Sequence, residues 1–141
     1  MAEQQGPQAT RSLCDQLQIT AEELQTRLTF LSFGEQDGRN LVEIRDVISS
    51  RVDELIEAFY DHLLQFEELR GILSDPKLVE RLKGSQRQYL LSLGQLGDDV
   101  EYAEGRLRIG LTHERVGIKQ KWYLGAYHKL FELILQPLVV R

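Results

Sequence analysis

The sequence predicts an all-α fold, and three observations carry that expectation. Ile44, Val47, Ile48, Val52, Leu55, Ile56, Phe59 and Leu63 keep the 3.6-residue helical period with charges on the opposite side. Only 3 prolines and 11 glycines interrupt 141 residues, which leaves room for long unbroken helices. No segment alternates apolar and polar residues long enough to read as a strand. With 42% hydrophobic and 28% charged residues, a chain of this length can bury one core without disulfide staples.

The elements follow in order. The first 18 residues are polar and glutamine-rich and read as a disordered leader, so the folded domain is expected over residues 19–141. Thr20-Ala21-Glu22-Glu23 has capping-box spacing, and Leu24, Leu28 and Leu31 then repeat at helical spacing up to a stop at Gly34. Glu35 to Asn40 reads as a turn or loose connection. From Leu41 to Leu63 the pattern predicts one long helix, or two joined near Ser49-Ser50. Ser74-Asp75-Pro76 starts the next helix, with a cap candidate followed by proline at the first helical position. Leu78, Leu82, Ser85, Tyr89 and Leu93 share a face of it, and Gly94 with the Gly97-Asp98-Asp99 cluster ends it. A helix from about Tyr102 to Glu114 comes next, then a break at Gly117. The last helix runs from about Lys119 to Gln136, with Trp122, Ala126, Leu130 and Leu133 on one face, before Pro137 interrupts it.

Composition narrows the function classes. A net charge of -5 argues against a general nucleic-acid binder, which carries a basic stripe. No apolar run approaches the roughly eighteen residues of a membrane span, and the N-terminus has no secretory-signal pattern. P-loop, dinucleotide-binding and zinc-type cysteine motifs are missing, which weakens most enzyme readings. The single cysteine, Cys14, forbids an internal disulfide and reads as a free thiol near a mobile terminus, consistent with a reducing cytoplasm.

Three histidines remain as ligand candidates: His62, His113 and His128. His62 follows Asp61 beside the Phe59/Leu63 face, and His128 lies off the Trp122/Ala126/Leu130 stripe. His113 differs, because Tyr102, Ile109 and Val116 fall on roughly its own face of the helix. That puts an imidazole on an apolar surface one turn from a helix break. A neutral imidazole is a good ligand for haem iron, and its second nitrogen needs an acceptor such as the Ile109 carbonyl to fix the tautomer. A packing histidine is the plain alternative.

The segment Arg108-Ile109-Gly110-Leu111-Thr112-His113-Glu114-Arg115-Val116-Gly117-Ile118, followed by Lys121-Trp122-Tyr123-Leu124-Gly125-Ala126-Tyr127, closely resembles the globin-coupled sensor family, of the sensor globin and protoglobin lineage. The resemblance extends back through Phe59-Tyr60 and Val79 to Ser85, and spans about Thr20 to Leu135. It implies a globin-type helical sandwich with an extra N-terminal helix. It implies haem b (iron protoporphyrin IX), with His113 as proximal iron ligand. Tyr60 becomes the distal donor to bound O2, and Ser85 a distal hydroxyl. A phenol in an apolar pocket stabilises polarised O2 by roughly 1–3 kcal/mol and favours it over carbon monoxide. A core tyrosine, and a serine bonded to its own helix, are the alternatives for those two. Phe59, Leu82, Ile109, Val116, Ile118 and Tyr123 are expected as pocket walls. Trp122 reads as core packing, and Lys119 and Lys121 are the weak propionate candidates, a solvated charge run being their alternative.

The resemblance further implies a non-enzymatic sensory domain that binds O2, and also CO and NO, in a cytoplasmic protein. A homodimer through the last two long helices is expected, with a C-terminal output such as a diguanylate cyclase, a histidine kinase or a chemotaxis module. The end at Val139-Val140-Arg141 is what a sensor domain cut from a longer chain would show. Ligand binding would favour one dimer arrangement by no more than its differential affinity for the two. A freestanding protoglobin-like globin and a haem-free helical dimerisation module are the other readings.

Overall fold

A computed structural model describes residues 11–93 and 100–139, and every regular element among them is helical. These are α1 (Leu13–Gln16), α2 (Ala21–Phe30), α3 (Glu35–Leu63), α4 (Glu67–Ile72), α5 (Pro76–Leu91), α6 (Val100–Arg115) and α7 (Gln120–Val139). None of the described helices is long and apolar enough to cross a membrane.

Local chemistry explains most of the boundaries. Thr20 Oγ1 accepts from the Glu23 amide at 3.1 Å and starts α2 as its spacing predicts, but the Glu23 carboxylate turns to Arg27 at 3.0 Å instead of closing the box. Helix α2 stops at Phe30, before Gly34, because Ser32 takes a left-handed φ of 54° and the Phe33 amide reaches back to the Leu28 carbonyl. Gly34 is the N-cap of α3, so the expected stop is a start. The expected turn over Glu35 to Asn40 is the first turn and a half of α3. Its sequence is polar, so hydrophobic periodicity does not reveal it. Asp37 Oδ2 accepts from the Gly34 amide at 2.8 Å, and Gln36 bonds Asn40 at 2.8 Å. The helix then runs unbroken past Ser49-Ser50. Asp75 caps α5 with proline at its first position, as predicted. Helix α5 ends at Leu91, and the expected stop at Gly94 and Gly97-Asp98-Asp99 lies outside the described residues.

Two further boundaries depart from expectation. Helix α7 continues past Pro137 to Val139, because a proline in the final turn removes only one backbone bond. Part of the stretch read as a leader is folded. Leu13–Gln16 form a helical turn capped by Ser12, and Cys14 is 1% exposed rather than a thiol near a loose end.

The core forms where α3 packs on α5 and α7. Ile48, Val52, Leu55, Ile56, Phe59 and Tyr60 of α3 are buried together with Val79 and Leu90 of α5 and Leu130 and Ile134 of α7. Two cross-helix ion pairs, Lys83 with Glu57 at 2.8 Å and Arg87 with Asp53 at 2.9 Å, flank the α3–α5 seam. Helix α6 is different. No residue of it is buried, and the helix it packs closely against is α1.

Candidate functional site

The sequence-predicted residues fall into two groups, one on α3 and α5 and one on α6 and the start of α7, and α6 does not pack closely on α3 or α5. The first group belongs to α3 and α5. Phe59 and Tyr60 are 6% and 5% exposed, with their rings edge to face at 5.6 Å, and Leu82 packs against the same cluster. Burial pushes the Tyr60 phenol up to about 12, partly offset by the nearby Lys83 charge. The phenol therefore keeps its proton at every physiological pH. Its hydroxyl makes no hydrogen bond to another described residue, although a buried phenol normally finds a partner.

Ser85 does not share this arrangement. It is exposed on α5, and its hydroxyl donates to the Arg81 carbonyl at 3.2 Å in the helix-bonded form open to any helical serine.

The second group belongs to α6 and the start of α7. His113 is half-buried, and its Nδ1 lies 2.8 Å from the Ile109 carbonyl. That contact assigns the proton to Nδ1 and leaves the Nε2 lone pair free for a metal. Helix α6 ends just beyond. The Ile118 amide donates to the His113 carbonyl at 3.2 Å and the Gly117 amide to the Glu114 carbonyl at 2.9 Å, with Gly117 at φ 73°. This paired C-terminal cap needs a residue free to turn left-handed, so Gly117 has a geometric purpose within one turn of the imidazole. The Tyr123 ring stands edge-on to His113 at 5.0 Å. Ile109 and Ile118 are half-buried, whereas Val116 and Tyr123 are 49% and 40% exposed, so these two form an open side rather than a closed wall.

The remaining candidates are engaged elsewhere. Lys119 and Lys121 both reach Glu68, at 2.7 and 3.4 Å. Lys119 first, then the Trp122 indole and Lys121, hold that carboxyl near 2. The indole N–H of Trp122 is buried and influences Glu68 without closing a hydrogen bond of good geometry. Trp122 packs on Phe66 at 5.2 Å, and Phe66 on His62 at 5.3 Å, around a cavity of about 180 Å³ between α3, α4 and α7. His113 and Tyr60 are not among its lining residues. His128 is exposed.

The arrangement fits a flat, mostly apolar cofactor carrying an iron. One side offers a tautomer-fixed imidazole on a helix with no buried residue of its own. Helix α3 offers a buried aromatic pair, Phe59 and Tyr60. Among the described residues, Leu107, Ile109 and Leu111 of α6 are half-buried and none is fully covered.

Comparison with known proteins agrees. The family model described as Protoglobin matches residues 20–140. The chain is 34% identical over 128 residues to the "Heme-based aerotactic transducer HemAT" of Halobacterium salinarum, an alignment covering 90% of this chain and 26% of that protein. The chain thus spans about a quarter of the length of that relative.

Proposed function

The chain belongs to the protoglobin family, and from that premise we propose that it is a haem-binding globin domain that senses a diatomic gas, O2 foremost. Haem supplies the iron at which such a gas binds. The residues of the chain do the rest. His113, its proton held on Nδ1 by the Ile109 carbonyl, presents Nε2 to the iron from the proximal side. Tyr60 would donate a hydrogen bond to a polar gas held on the distal side, with Phe59 and Leu82 as apolar neighbours. Ile109, Ile118 and Tyr123 line the proximal side, and Val116 marks its rim.

The observation that carries this reading is the His113 Nδ1 contact of 2.8 Å. It prepares one nitrogen for a metal on a helix that otherwise buries nothing. The gas-sensing role draws on the relative, whose name describes a haem-based aerotactic transducer three-quarters of which has no counterpart here. A signalling output beyond residue 141, whether a diguanylate cyclase, a histidine kinase or a chemotaxis module, and a homodimer through α6 and α7 are parts of the proposal. The exposed apolar residues Leu124, Tyr127 and Phe131 on α7 support a partner surface there.

Stopped-flow gas release tests the distal assignment. Tyr60→Phe removes one hydrogen-bond donor and little volume, so O2 should leave about five- to a hundredfold faster, with CO release changed far less. Equal changes for both gases would overturn the role given to Tyr60.

A further inference from the structure

Helix α6 touches the rest of the molecule through few side chains, and one of them is unusual. Tyr102, Arg106, Ile109 and His113 are spaced four, three and four residues apart, the stripe a helix presents in one direction. The Arg106 guanidinium carbon lies 4.2 Å from the centroid of the Tyr102 ring and 4.4 Å from that of Tyr89, which belongs to α5. Its Nη2 donates to Ser92 Oγ at 2.9 Å, at the C-cap of α5. Ser92 can accept because its own proton goes to the Tyr89 carbonyl at 2.8 Å. One planar cation is therefore held by two ring faces and a fixed hydroxyl, a geometry that suits guanidinium and not ammonium.

The location gives this clasp its meaning. Tyr89 packs against the buried core, so Arg106 ties α6 to the rigid part of the protein. Among the described residues it makes the one side-chain hydrogen bond from α6 to a helix other than α1. His113 follows two turns along the same face, about 10 Å away. Helix α6 is tied to α1 through Glu104 and to the end of α5 through Arg106, and His113 lies on the far side of both ties.

We propose that Arg106 is a positioning residue: its stack on Tyr89 and Tyr102 sets the separation of α6 from α5 and so the approach of His113 to the iron. This rests on the haem reading above. It assigns Arg106 no contact with haem or gas. It also makes the stack, rather than the charge, the property that matters.

The test uses the full haem-loaded chain and two readouts. One is the iron–histidine stretching band in the resonance Raman spectrum of the ferrous, gas-free protein. The other is the rate at which haem passes to a scavenging apoglobin. Arg106→Lys keeps the charge but not the planar stack, and should shift or broaden the band and speed haem loss about three- to tenfold. Tyr102→Leu removes one ring without altering a buried position and should move both readouts the same way. An unmoved band and haem-loss rate in Arg106→Lys would overturn the proposal. So would a lowered melting temperature with the band unmoved, which would make Arg106 structural only. Normal behaviour in Arg106→Lys but not in Arg106→Met would assign the effect to charge and overturn it equally. Failure of the haem reading looks different: the unsubstituted chain itself would show no Soret band.

Discussion

Helices α3 and α6 carry the two residues on which the proposed site depends, and they are built in opposite ways. Helix α3 buries six residues, Tyr60 among them, and is fixed by α5 and α7. Helix α6 buries none and is held by α1 at one end, by Arg106 in the middle and by the left-handed cap at Gly117 after His113. Burial is concentrated on α3 and withheld from α6. Tyr60, the proposed distal donor, belongs to the buried core. The imidazole sits on a helix that gains its burial from whatever fills the space beside it. In the proposed sensor this asymmetry puts His113 on a helix without a buried residue and Tyr60 on the helix that contributes most to the core.

That contrast is open to measurement, and the largest effect should come from the core side. Leu90 is 0% exposed at the α3–α5 seam, so Leu90→Ala should cost about 2–5 kcal/mol of unfolding free energy in the haem-free protein. Ile109→Ala on α6, half-buried at most, should cost clearly less in the same denaturant titration, and the gap should narrow once haem is bound. Equal losses in haem-free protein would erase the contrast between the two helices.

The smallest effect concerns the far end of α6. The Glu104 carboxylate accepts from the Cys14 amide at 2.8 Å and the Leu13 amide at 3.1 Å, docking α1 on α6. The Cys14 amide first, then that of Leu13, hold the Glu104 carboxyl below its ordinary 4.5. Since the folded-state value is the lower one, this contribution is complete above about pH 4.5 and is lost as the pH falls through the lowered value. Cys14 reports the loss, because its thiol is covered and donates to the Val100 carbonyl at 3.4 Å. Labelling with a disulfide reagent that reacts in acid should accelerate below pH 4.5 and stay slow above it, and Glu104→Gln should abolish that pH dependence. A flat labelling profile in the unsubstituted chain would separate Glu104 from the docking of α1.

The sequence carried the fold where periodicity or capping chemistry is strong. The apolar repeat from Ile44 to Leu63 announces α3, and Asp75-Pro76 announces α5. It was silent where a helix is polar, as in the first turns of α3, and where an element is too short for a period, as in α1 and α4. The site divides the same way. The acceptor for His113 was legible as the carbonyl one turn back, because that bond is local. The Arg106 stack was not, because it depends on Tyr89 and Ser92 meeting α6 across a connection, and nothing in local spacing encodes that meeting. Gly117 was legible as a break, and its positive φ supplies the reason.

Ligation of haem iron by His113 Nε2 can be tested in one titration. His113→Gly removes the imidazole and leaves room for a free one. The unsubstituted chain should show a Soret band and bind one haem, His113→Gly alone should lose the native spectrum, and added imidazole should restore it. A His113→Gly protein that keeps the native spectrum without imidazole would contradict the assignment.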